Sequence, residues 1–125
     1  MVFAEYDQPP RDFKQVINDK SDNPFNRQFV DSNNSIQLSW EYIRFYYGYE
    51  LYWWKNASKQ NKIFIESEVL EKTRFRGHVY YLFVDDTPDL LVYYFQIRGR
   101  LYGGGYGKKS EVVIALKQYK GKSSF

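Results

Sequence analysis

From Lys62 onward, polar and apolar residues alternate with a period of two in four segments: Lys62 to Leu70, Thr73 to Val84, Leu90 to Tyr102 and Glu111 to Tyr119. An alternation of this kind sends one set of side chains to each face of a strand, so each segment reads as a half-buried β-strand. The links carry turn chemistry. Asp85, Asp86, Thr87, Pro88 and Asp89 form one, and the glycine-rich stretch Gly103 to Lys109 forms another. Both are short enough to join neighbouring strands, which predicts a four-stranded antiparallel meander.

The segment Ile36 to Lys55 fits two patterns. On a helix, Ile36, Trp40, Ile43, Tyr47, Leu51 and Trp54 make one buried stripe, while Gln37, Glu41, Arg44, Gly48 and Lys55 face water. As a strand, Ile36, Leu38, Trp40 and Tyr42 alternate with Gln37, Ser39 and Glu41 until the parity breaks at Ile43 and Arg44. The helix is the preferred reading, capped by Asn34 or Ser35. The expected fold is therefore α+β, with one aromatic-rich helix packed on the meander and an all-β barrel as the alternative. Residues 1–35 are polar and broken by Pro9, Pro10 and Pro24, and read as an N-terminal arm with a short helix over Arg11 to Lys20. Residues 36–125 make the single domain that 125 residues are expected to form.

If Val84 pairs with Leu90, then Val79, Tyr81, Phe83, Leu91, Tyr93, Phe95 and Ile97 share the core face. The other face then gathers His78, Tyr80, Arg74, Arg76, Tyr94, Gln96, Arg98 and Arg100. Placing Val112, Ile114 and Leu116 inward adds Lys117 and Tyr119 to that outer face. Cross-strand pairing also sets Glu68 against Arg74 and Glu66 against Arg76. Basic groups are concentrated in this half of the chain, with 11 basic and 7 acidic residues over 62–125 against 7 and 8 over 1–61. Arg98, Arg100, Lys108, Lys109 and Lys117 belong to the densest stretch.

Rings beside cations on an open sheet suit single-stranded RNA or DNA, because bases stack on the rings and cations neutralise phosphates. The sequence thus points to a non-enzymatic binding protein. Tyr80, Tyr94 and Tyr119 would stack; Arg98, Arg100 and Lys117 would neutralise phosphate; His78, Lys108 and Lys109 would lie beside them. A small inhibitor or assembly subunit that grips a protein through the same face, or through an exposed strand edge, is the alternative, since Tyr and Arg are also enriched at protein interfaces.

Composition narrows the chemistry. With no Cys and one His, thiolate sites, disulfides and multi-histidine metal centres are excluded. No catalytic residue, cofactor or metal ligand is assigned. The segment Arg100 to Gly105 (RLYGGG) resembles the acyl-coenzyme A loop of acetyltransferases, but too few residues follow it to complete that fold. The segments RFRGHVYYLFVDD and GKKSEVVIALKQYK are loosely similar to RelE-like toxins. That resemblance implies a ribonuclease working without a histidine pair, with Arg74, Arg76, Arg98 and Tyr119 as its residues. A helix clasped by a curved sheet would also form a cone in which Trp40, Tyr47, Tyr81, Tyr93 and Phe95 line an apolar cavity. No run of apolar residues is long enough to cross a bilayer, and Glu5, Asp7 and the prolines near the start do not resemble a secretion signal, so a cytoplasmic location is expected.

Overall fold

The computed structural model describes residues 8–16, 35–56, 58–85 and 92–117. Its strands are β1 (Lys14–Gln15), β2 (Ser35–Glu41), β3 (Tyr46–Trp54), β4 (Asn61–Glu66), β5 (His78–Val84), β6 (Val92–Leu101) and β7 (Val113–Leu116). Among the described residues a short helix, α1 (Ser67–Leu70), runs into a 3-10 turn at Glu71–Thr73. All pairings are antiparallel. They form a three-stranded sheet in the order β1-β2-β5 and a four-stranded sheet in the order β4-β3-β6-β7. The two sheets enclose a core between them, which makes a β-sandwich.

The helix-on-meander fold expected from the sequence is overturned. Ile36 to Lys55 is two strands from different sheets, and the parity break at Ile43 and Arg44 is the turn between them. Side chains along β2 are buried on both parities, Gln37 and Ser39 as well as Ile36, Leu38 and Trp40, so the alternation that marks a half-exposed strand carries little contrast there. The four downstream strands exist but are not a meander. β5 joins β2 in one sheet, whereas β4 and β6 flank β3 in the other. The proposed helix at Arg11 to Lys20 is also corrected where it can be seen: Arg11 and Asp12 form a turn, Lys14 and Gln15 a strand, and the remainder lies outside the described residues.

Aromatic packing explains the Tyr-rich composition. Trp40, Tyr46, Tyr49, Tyr93 and Phe95 are fully buried, with edge-on contacts such as Trp40 to Tyr49 at 5.3 Å and Phe83 to Phe95 at 5.0 Å between ring centroids. Burying each such ring stabilises the fold by roughly 1.5–3 kcal/mol. The phenolic groups reach polar partners at the rim: Tyr46 donates to the Gln8 carbonyl, Tyr93 donates to Asp85, and the Tyr49 hydroxyl accepts from the Ile43 amide at 3.3 Å. These rings fill the interior, so Trp40, Tyr93 and Phe95 do not line a ligand cone.

Two glycines are fixed by close approach. A Cβ on Gly99 would lie 2.1 Å from the Tyr46 ring, and one on Gly48 would lie 2.4 Å from the Phe64 ring. In both cases an aromatic ring covers the backbone of a neighbouring strand. A bulge between Tyr46 and Gly48 shifts the register there, and the Tyr47 ring meets Phe64 on the outer side while Tyr46 points inward.

Candidate binding face

The outer face of the four-stranded sheet is built around one carboxylate. Register sets Glu50 opposite Arg98 on one side and Phe64 on the other, with Tyr52 between Lys62 and Gln96 in the next row. Glu50 is only 3% exposed because longer side chains close over it. Arg98 Nε donates to Glu50 Oε1 at 2.8 Å and the Tyr52 hydroxyl donates to the same oxygen at 2.6 Å; Lys62 and Arg100 stand 3.8 and 4.0 Å from Oε2.

Burial opposes ionisation of Glu50, but the hydrogen bonds from Tyr52 and Arg98, with the charges of Arg98 and Lys62, outweigh it and hold the carboxyl below the ordinary glutamate value. The Tyr52 hydroxyl is pushed up to about 12 by burial and by its bond to Glu50. Arg98 is burdened by burial too, yet its bond to Glu50 raises its value on balance.

The cations lie against ring faces. The Arg98 guanidinium sits 3.8 Å from the Tyr106 ring centroid, Arg100 lies 5.1 Å from Phe64 and 5.4 Å from Tyr47, and Lys109 Nζ lies 4.1 Å from Tyr52. Farther along, Trp54 and Tyr94 stack at 5.7 Å, with Tyr94 opposite Ile114 on the edge strand. The face is therefore a clamped lattice of cations and rings instead of a set of open stacking platforms.

The residues singled out from the sequence do not all meet here. Tyr94, Arg98, Arg100 and Lys109 do, and Lys108 is exposed in the loop that follows β6. His78 and Tyr80 belong to β5 of the other sheet, where His78 Nε2 lies 2.8 Å from Asp12 and the Tyr80 backbone is bonded to Thr73. The expected rows joining Tyr80 to Tyr94 and His78 to Gln96 thus do not form, because β5 and β6 lie in different sheets. Tyr119 lies outside the described residues.

The parity of β7 is the reverse of that expected. Ala115 and Lys117 are buried, while Val112, Ile114 and Leu116 are 47%, 64% and 59% exposed. Ala115 lies opposite Tyr93, whose ring shares the core with Phe83 and Phe95 and leaves room for only a small side chain. Lys117 Nζ rests 5.3 Å from the Tyr93 ring and is not on the outer face.

The ion pairs Glu68–Arg74 and Glu66–Arg76 are replaced by a single pair, Arg74 to Glu71 at 3.4 Å, and Arg74 covers the Tyr42 ring. Of the residues implied by the RelE-like resemblance, Arg74 and Arg76 precede β5, Arg98 lies on β6 of the other sheet, and Tyr119 falls outside the described residues. Sequence reading missed Glu50, Tyr52, Tyr106, Phe64 and Lys62, and placed Tyr47 in a buried stripe or cavity lining instead of on this face. In a strand reading, Glu50 and Tyr52 would have shared a parity, with Glu50 the lone acid between tyrosines. Separately, a cleft of about 680 Å³ opens between Pro9, Pro10, Phe13, Ile43, Phe45 and Val113, with Arg11, Ser110 and Glu111 also on its wall.

No family model matches the chain, and no curated protein matches it. Among solved structures it is similar to the crystal structure of chicken CNTN1 FN1-FN3 domains, with a TM-score of 0.56 and 15% sequence identity. The match covers 87% of this chain and 30% of that one. At that identity the likeness shows the fold alone: a fibronectin-type β-sandwich. Among the described residues no helix is long and apolar enough to cross a membrane, which says nothing of strands crossing as a barrel.

Proposed function

We propose that this chain is a non-catalytic binding module that takes a protein partner on the outer face of its four-stranded sheet. The observation carrying this reading is that three cations, Lys62, Arg98 and Arg100, stand within 4.0 Å of one buried carboxylate, with Lys109 nearby. The excess positive charge is held rigidly on aromatic faces, ready for carboxylates of an acidic protein surface. Arg and Tyr anchors already ordered lose little side-chain entropy on docking.

Single-stranded nucleic acid is the second reading, favoured by the exposure of Tyr102 and Tyr106 in the loop segment that also carries Lys108 and Lys109. One comparison separates the two. Partner capture by the whole chain should survive nuclease treatment and be lost in the double variant Arg100→Glu, Lys109→Glu. Capture that disappears with nuclease, together with oligonucleotide binding that weakens steeply with salt, favours nucleic acid. Capture unchanged by the double variant rejects the face altogether.

A further inference from the structure

Arg100 is held in place without being satisfied. Its guanidinium lies 5.1 Å from the Phe64 ring, 5.3 Å from Tyr106 and 5.4 Å from Tyr47. Its acid is Glu50, but Nε stands 4.0 Å from Oε2, beyond hydrogen-bond distance. Glu50 is committed instead to Arg98 and Tyr52, which donate to its other oxygen at 2.8 and 2.6 Å. Among the described residues no hydrogen bond engages the Arg100 guanidinium, and the side chain is 33% exposed, open to an acceptor from outside. A guanidinium presents five N–H donors in a planar fork, and stacking on rings fixes the plane while leaving those donors unfilled.

The surroundings select the acceptor. Four cations, Lys62, Arg98, Arg100 and Lys109, face the one carboxylate of Glu50, so a single further carboxylate would leave most of the excess charge unanswered. A phosphate monoester carries about −1.5 to −2 charge at neutral pH and offers three acceptor oxygens. Two of the rings around Arg100, Phe64 and Tyr106, are exposed as well, so apolar surface lies open beside the unfilled donors. A phosphate carried on a phenol ring matches both features at once.

We infer that Arg100 anchors a phosphotyrosine of the protein partner, its phosphate taken by the Arg100 fork and Lys109 and its ring laid against Phe64 and Tyr106. This rests on the protein-binding reading above and names the group at the centre of that contact.

The probe is a short fluorescein-labelled peptide carrying one phosphotyrosine, compared by fluorescence anisotropy with the same peptide carrying tyrosine or phosphoserine at that position, each titrated with the whole chain. Phosphotyrosine should bind about tenfold tighter than tyrosine and about threefold tighter than phosphoserine. Arg100→Lys keeps the charge facing Glu50 but removes the fork, and should erase most of the preference for phosphotyrosine over tyrosine at an unchanged urea midpoint. The inference is overturned if phosphotyrosine binds no tighter than either comparison peptide, or if Arg100→Lys keeps the full preference. Nuclease-resistant partner capture that is lost in Arg100→Glu, Lys109→Glu would in that case still uphold the binding face, so the two failures are distinguishable.

Discussion

At Glu50 a single residue organises a surface. Its carboxylate is stabilised by Tyr52, Arg98, Lys62 and Arg100, and the lowered value means that the folded state binds its proton less readily than the unfolded chain. The stabilisation is thus complete above the ordinary value of 4.5 and is lost as pH falls through the lower folded value. Chemical denaturation across the acid range should show stability declining below that point. Glu50→Gln should be less stable by about 1–3 kcal/mol at neutral pH and should flatten this part of the profile, because the neutral amide leaves the cations without their shared anion. An unchanged profile would mean that the carboxylate does not hold the face together. None of this is legible in a helical reading, in which Glu50 falls on neither the buried nor the wet stripe.

Between strands, register depends on rings crossing glycines. β3 and β6 are locked where Tyr46 lies over Gly99, and the Glu50–Arg98 pair occurs in the same ladder. Gly99→Ala would drive a methyl group into the Tyr46 ring and should destabilise the fold by about 1–3 kcal/mol, read as a lowered urea midpoint with an unchanged slope. No loss would show that Tyr46 can move aside. Parity in β5 and β6 is legible in the alternation alone: Val79, Phe83, Tyr93, Phe95 and Ile97 fall on the apolar side of the pattern and are buried in the core. Parity in β7 is not. Val112, Ile114 and Leu116 are the more hydrophobic set by composition, but the aromatic core beneath the strand admits Ala115 instead. The turn at Ile43 and Arg44 is visible as a broken alternation, yet the same residues fit a helical stripe because Trp40, Ile43, Tyr47, Leu51 and Trp54 also recur at helical intervals.

Across the molecule, the sandwich is closed by contacts distant in sequence, with β3 pairing to β6 and β2 to β5. Local melting is therefore difficult without global unfolding. Tyr49 is pushed up to about 12, first by burial, and Tyr52 likewise by burial and by Glu50. Both values are raised above the ordinary 10.0, so the stability these residues contribute is full below that pH and is lost as pH rises towards the folded values. Alkaline titration should show their ionisation coinciding with one cooperative unfolding transition, followed by ultraviolet absorbance and tryptophan fluorescence together. Ionisation of all tyrosines well before fluorescence changes would contradict burial of Tyr49.

What the residues alone determined is local: that the stretches holding β4 to β7 extend, and which side of β5 and β6 faces inward, since these follow from alternation within a few positions. Which strand sits beside which was decided only by the fold. Two antiparallel strands joined by a short link can pair or can cross between layers, and the choice depends on how large rings from distant segments fit together. That choice placed His78 and Tyr80 on one sheet and Arg98 and Arg100 on the other, and it put an acid that alternation does not single out at the centre of the cationic face.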